Sequence, residues 1–273
     1  MIPLRTSIPR RKYPALTLLL IAVNVVVFLY QVSLPDEKAS DIIYEHGFIP
    51  LRLTAAIRGV HEISVPIRQL KQRGHYVFVT ESARPMASDP ASVILSLFSS
   101  MFLHGGWAHI IGNMLYLWTF GPNIEDRLGK LAYITFYLFC GLCAAGLQML
   151  FDSTSPMPMV GASGAIAGVL GAYIVSYPLA RVLTLLPIFF FWQFVEVPAL
   201  IFLGFWFVLQ FFGGIGSVSR IQGGGVAYWA HVGGFAAGLA IMWVAKRLRP
   251  RRPSPPKVEI IYPAEQWRRD AFP

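Results

Sequence analysis

Residues 15–34 read ALTLLLIAVNVVVFLYQVSL. Twenty consecutive positions carry no charge, which is the length a helix needs to cross the hydrocarbon core of a bilayer. The run follows a basic cluster, Arg5, Arg10, Arg11 and Lys12. A secretory signal has a shorter apolar region ending in a small-residue cleavage site. This run has no A-x-A site, so a retained first transmembrane helix over 14–34 is expected.

Five further apolar segments follow: Val93–Phe120, Leu131–Phe151, Val160–Leu179, Val197–Phe212 and Tyr228–Ala245. Residues 182–212 are apolar but broken by Pro187 and Pro198, so a hydrophobic connector is expected before the fifth span. GPNIEDRLGK (121–130) is expected to be a short charged turn. Residues 35–92 are too charged to span. They are expected to form an extracytoplasmic loop with interfacial helices, with helical stretches such as 39–58 and turn signals at Pro50, Pro66 and Gly74. The tail, residues 247–273, contains RPRRPSPP and is expected to be disordered.

Composition agrees with this reading. Of 273 residues, 55% are hydrophobic and only 14% charged, against about 25% charged in soluble domains. Two cysteines give no disulfide framework. The net charge of +9 is sorted by region. Four basic residues precede position 13, and eight follow Ala245. The loop 35–92 balances seven basic against seven acidic side chains, and Val93–Ala245 holds only eight charges. Lys and Arg beside apolar segments mark the cytoplasmic side. Six spans then place both termini in the cytoplasm, with Arg127, Lys130 and Arg181, in a multi-pass protein of the cell membrane that also attracts anionic lipid. A nucleic-acid partner would require a basic, aromatic-laced patch on a folded domain; the sequence offers none.

Polar side chains inside membrane segments are costly and mostly functional. Here they are His104, His109, Asn113, Ser163 and His231, with Glu196 nearer a segment end. In HGGWAHIIGN, His109 and Asn113 are four apart and share a helix face, which also suits plain inter-helix hydrogen bonding. In GASGAIAGVLGAY, Ser163 opens a helix among glycines. Free backbone N–H groups and the positive dipole end there favour a developing oxyanion, although Gly164-x-x-x-Gly168 is also a packing pattern. In AHVGGFAAG, His231 precedes Gly234 and Gly238. Two small-residue helices pack closely, which would bring His231 to Ser163 as the base a serine nucleophile needs. No acidic residue sits beside His231, so a dyad is expected rather than a triad. Three well-placed ligands for a metal are lacking, with no HExxH motif, and no cofactor is expected. Cys140 and Cys143 form a CxxC expected to be two buried small residues. Glu196 is expected at the membrane edge, without a catalytic role.

Together these residues resemble the rhomboid family of intramembrane serine proteases. The resemblance rests on H-x4-H-x3-N (His104, His109, Asn113), GASG (Ser163) and AHxGG (His231), in that order and on the matching segments. Glu125 and Arg127 of the charged turn resemble the family's Glu-x-Arg element. The resemblance covers about 93–245, with 14–34 as the first helix and 93–246 as the catalytic core. It implies an all-α, polytopic membrane protein, a six-transmembrane-helix rhomboid-like bundle. It further implies that Ser163 is the nucleophile and His231 the general base and acid. The oxyanion hole would be the Ser163 backbone N–H with His109 and Asn113, and His104 would support it. The substrates implied are transmembrane segments of other proteins, cut near their outer ends. A catalytically silent relative that binds or escorts membrane proteins is the alternative; the presence of both Ser163 and His231 disfavours it. A transporter would show paired repeats and charged midplane residues, and neither is seen. Two departures stand out. Where many members carry a Trp-Arg pair, this chain has Leu95-Ser96. Where some place a tyrosine beneath the histidine ring, it has Ala167.

Overall fold

A short strand, β1 (Ile2–Thr6), precedes α1 (Ala15–Ser33). The computed structural model describes residues 1–73, 76–188, 191–218 and 226–248. α1 rises roughly 28 Å at 1.5 Å per residue, close to the bilayer core. The expected helical stretch 39–58 is two helices, α2 (Asp36–His46) and α3 (Pro50–Ile57), parted at Gly47–Ile49. Gly47 is squeezed against the Ile43 carbonyl and Pro158, and Pro50 opens α3 at a position where its missing N–H costs nothing.

β2 (Glu62–Arg73) and β3 (Tyr76–Ala87) then pair antiparallel, from Glu62 opposite Ala87 to Arg73 opposite Tyr76. The expected turn at Gly74 lies outside the described residues. Buried Arg52 ties this outer layer together, donating to the Ala87 and Glu45 carbonyls and to Ser92 Oγ at 3.1–3.2 Å. Burial pulls its guanidinium pKa below the ordinary value, against the opposing pull of Asp89 and Glu45.

The expected single span Val93–Phe120 is instead a broken pair. α4 (Pro90–Ser99), capped by Asp89, runs through a 3-10 turn at Ser100–Phe102. The chain then breaks before α5 (Trp107–Leu128), and the two arms meet at 79°. The apolar pattern continues across the break; Gly105 and Gly106 permit it. Leu95 is exposed on α4, and Ser96 is buried with its hydroxyl on the Val93 carbonyl.

GPNIEDRLGK is not a turn. Residues through Leu128 complete α5, with Pro122 inside the helix, and only Gly129, at φ 84°, reverses the chain. α6 (Lys130–Phe151) and α7 (Ser163–Ser176) follow. The expected connector is a β-hairpin, β4 (Arg181–Ile188) with β5 (Phe191–Pro198), and β1 pairs on β4 to give a sheet ordered β1-β4-β5. Glu196 lies in β5, 3.6 Å from Arg181 at the base of the hairpin and outside the polar cluster described below. The chain closes with α8 (Ala199–Val218), two residues later than expected, and α9 (Tyr228–Leu248). The tail beyond Leu248 lies outside the described residues.

The membrane part is an all-helical bundle, with the β1-β4-β5 sheet packed on α5 and α8. Among the described residues four helices, α1, α6, α8 and α9, are long and apolar enough to cross a bilayer, or five spans with α4–α5 taken as one. α7 has 14 residues and a rise of roughly 21 Å, shorter than a hydrocarbon core of about 30 Å. It is buried on all sides from Ala165 to Tyr173, with α5, α6, α8 and α9 around it, the pattern of a central helix. Cys140 packs on Gly168, and both cysteines are free thiols.

Glu125 closes one end of the bundle. Pro14 has no side chain to cap α1. The buried Glu125 carboxylate accepts instead from Leu16 N–H (3.0 Å), Thr17 N–H (2.7 Å) and Thr17 Oγ (2.7 Å). A negative group at a helix N-terminus satisfies orphan donors and meets the positive dipole end. Glu125→Ala leaves these donors without a partner and is expected to lower stability by about 2 kcal/mol or more. Equilibrium unfolding in detergent measures this, and Glu125→Gln should recover part of the loss.

Candidate active site

Ser163 is the first residue of α7. The first intrahelical bond there runs from Ile166 N–H to the Ala162 carbonyl, leaving the amides of Ser163 and Gly164 without helical acceptors. The turn before it needs Gly161. Its φ is 120°, its N–H donates to the Ser100 carbonyl at 2.9 Å, and a Cβ there would lie 2.6 Å from His109 Nε2.

His231 sits in the first turn of α9, and its Nε2 lies 2.8 Å from Ser163 Oγ. The glycines of the two helices create this proximity. There is no room for a Cβ between Gly234 and the Gly164 carbonyl, nor between Gly238 and the Gly168 carbonyl. The backbones of α7 and α9 therefore touch, as small-residue seams in membranes allow. On its other edge, His231 Nδ1 lies 2.7 Å from Oε1 of Gln210 on α8. The Trp206 ring, one turn earlier on α8, stands 5.8 Å from the imidazole at 36°. Ala167 is fully buried on α7, so these α8 side chains flank the imidazole.

His109 and Asn113, on one face of α5, both approach Gly161, two residues before Ser163. The Asn113 amide donates to His104 Nε2 at 2.9 Å. His104 is itself buried, and its backbone exchanges hydrogen bonds with Gln31 of α1 at 3.1 and 3.3 Å. All five polar residues singled out in the membrane segments thus belong to one cluster. Ser163 and His231 are in direct contact, His109 and Asn113 converge on the preceding turn, and His104 lies behind Asn113.

Four contributors escape the sequence reading. Gln210 and Trp206 flank His231, Gln148 on α6 accepts from the Ala230 N–H (3.2 Å), and Gln31 holds the His104 backbone. A usable signal existed for the glutamines: each is an amide in a long uncharged apolar run, Gln148 and Gln210 the only one in theirs, and such groups in membrane segments seek partners.

A cavity of about 40 Å³ opens beside Ser163, lined by Phe48, Met101, Gly141, Ala144, Met159 and Gly164 among others. Its walls are mostly small residues, with Ser100 and Ser163 the polar side chains among them. The outer layer reaches this point as well. Phe48 and Met159 exchange backbone hydrogen bonds at 2.8 and 3.1 Å, and Thr54 Oγ donates to the Ser153 carbonyl at 2.7 Å. The segment leading into Ser163 is thereby held from α2–α3 on one side and from Ser100 on the other.

The chain can be set beside known proteins on this basis. The sequence profile of the Rhomboid domain matches residues 91–248. Rhomboid protein 1, mitochondrial, of Saccharomyces cerevisiae is 25% identical over 214 residues, covering 74% of this chain and 56% of that protein. RHOMBOID-like protein 5 of Arabidopsis thaliana is 38% identical over 76 residues, 28% of this chain and 25% of that protein. Rhomboid protease GluP of Bacillus subtilis is 40% identical over 76 residues, 28% of this chain and 14% of that protein. The matched stretches span from about a seventh to just over half the length of these relatives. With the profile covering more than half of its residues and the three motifs gathered around one serine, the chain belongs to the rhomboid family of multi-pass membrane proteins.

Proposed function

We propose that this protein is an intramembrane serine endopeptidase that cuts transmembrane segments of other membrane proteins. The observation that carries the reading is the 2.8 Å separation of Ser163 Oγ and His231 Nε2 at the start of a central, buried helix. In this reading Nε2 takes the Ser163 hydroxyl proton as Oγ attacks the scissile carbonyl. The resulting oxyanion is met by the Ser163 N–H, a His109 ring N–H and the Asn113 N–H not engaged by His104. The protonated His231 then gives its proton to the departing amine, and water releases the acyl group by the reverse sequence. His104 orients Asn113. No step draws on a metal or cofactor. The residues that carry this chemistry fall within 93–246, the proposed catalytic core.

α7 is shorter than the bilayer is thick, which supports a site below the membrane surface, and the small cavity beside Ser163 supports a small side chain on the acyl side of the cut. The basic flanks of α1 and α9 support a cell-membrane protein with both termini in the cytoplasm. The GluP relative is a protease by name.

The test is cleavage of a reporter transmembrane protein by purified protein in liposomes. Wild type should cut it and Ser163→Ala should not; equal cleavage by both would remove Ser163 from the chemistry. Asn113→Ala should retain residual activity, with kcat lower by ~10²–10³, the usual cost of one oxyanion donor.

A further inference from the structure

We propose that Gln210 on α8 is a positioning residue that fixes the tautomer and ring orientation of His231 for proton abstraction from Ser163. The inference rests on the protease reading above and adds a third member to the pair. A carboxamide oxygen can only accept. With Gln210 Oε1 2.7 Å from Nδ1, the imidazole proton must sit on Nδ1. That leaves the Nε2 lone pair facing the Ser163 hydroxyl, the form a general base requires. The Gln210 amide nitrogen donates to the Trp206 carbonyl at 3.5 Å, so the oxygen end of the amide is the one turned to His231.

The surroundings single out this role. Gln210 is the only polar side chain in ALIFLGFWFVLQFF (199–212). Leu200, Ile201, Phe205, Val208, Leu209 and Phe212 of the same helix face outward. A lone amide in such a helix is expensive unless partnered, and here its partner is the histidine beside the nucleophile. Trp206, four residues earlier, presents its ring to the same imidazole. One face of α8 therefore supplies both an acceptor for the ring's edge and a surface for the ring. The orienting group is neutral, so it adds no buried charge beside His231. A carboxylate there would carry the desolvation penalty of a buried ion.

The experiment uses the full-length protein in detergent micelles and a fluorophosphonate–rhodamine probe, whose capture by Ser163 requires a competent base but no known substrate. Gln210→Leu should lower the maximal labelling rate by roughly 10- to 100-fold, with half-saturation by the probe unchanged within about twofold. Gln210→Glu, whose carboxyl group keeps an acceptor oxygen in its neutral form as well, should recover most of that rate. Leu209→Ala, on the outward face, should label as wild type does. Where leucine fails to fold, Gln210→Met takes its place. If Gln210→Leu or Gln210→Met labels at the wild-type rate, the inference is overturned while the protease reading stands. If Gln210→Glu is as slow as Gln210→Leu, the residue serves packing and the inference is also overturned. If wild type is not labelled at Ser163, both fall together.

Discussion

Replacing His231 by alanine is expected to reduce reporter cleavage by ~10³-fold or more while the protein still accumulates in the membrane at near-normal levels. The imidazole contributes proton transfer in both halves of the proposed reaction, and general acid–base catalysis is worth typically 10²–10⁴-fold. Without it, the Ser163 hydroxyl at the head of α7 has no other base within hydrogen-bond reach among the described residues. The fold should tolerate the change. His231 makes its two side-chain bonds only to Ser163 and Gln210, whereas the α7–α9 seam is carried by Gly234 and Gly238. A double variant, Ser163→Ala with His231→Ala, should be no worse than either single change, because groups that act as a unit lose their effect together. Additive losses in a reporter assay would show that the two residues act independently.

Gly234→Ala is the second large expected loss, and it removes no chemical group. A methyl at Gly234 meets the Gly164 carbonyl, which is backbone and cannot rotate away. The helices must separate, at a cost of about 1–3 kcal/mol typical of overpacking. Gly234 lies one turn after His231, and Gly164 directly follows Ser163, so the separation acts where the two side chains meet. A displacement of about 1 Å in reacting groups can cost 10²-fold. Reporter cleavage should fall by about 10²-fold while far-ultraviolet circular dichroism stays close to wild type. Gly204→Ala on α8, where an added Cβ meets nothing within 4 Å, should be silent. Equal activity of the two variants would mean that the seam does not set the distance between Ser163 and His231.

The long apolar helices were legible within a few residues. α1, α6 and α9 follow uncharged runs of spanning length, and bilayer thickness leaves few alternatives for such runs. Hydropathy does not report direction, so the unbroken apolar pattern across Leu103–Gly106 predicts one span where the chain bends. VLTLLPIFFFWQFVE (182–196) suits a connector because a short apolar run does not distinguish helix from strand. Its β-branched and aromatic content, split near Pro187, was the signal for β4 and β5. The alternation in EISVPI before Gly74 was a similar signal for β2. The charge and the Pro122 of GPNIEDRLGK predict a turn. The helix continues because Glu125 is buried as the cap of another helix, a tertiary partner that local sequence does not display.

Within the site, His104, His109, Asn113, Ser163 and His231 could be picked out because polar groups are scarce in membrane segments. Gln31, Gln148 and Gln210 meet the same criterion, but an amide carries no reactive chemistry of its own to mark it. Their roles depend on which helix faces which, and that follows from glycine seams and the central place of α7.

The order of elements along the chain has a consequence for biosynthesis. The serine is on α7, the amide beside the imidazole on α8 and the imidazole itself on α9, the last described helix. A nascent chain released only through α8 carries Ser163 with no base against it. The segment leading into that serine is already pinned by Phe48 and Thr54, made more than ninety residues earlier. The ribosome thus completes the support before the nucleophile and the nucleophile before its activator. Ser163 and His231 can meet only once α9 has entered the bundle.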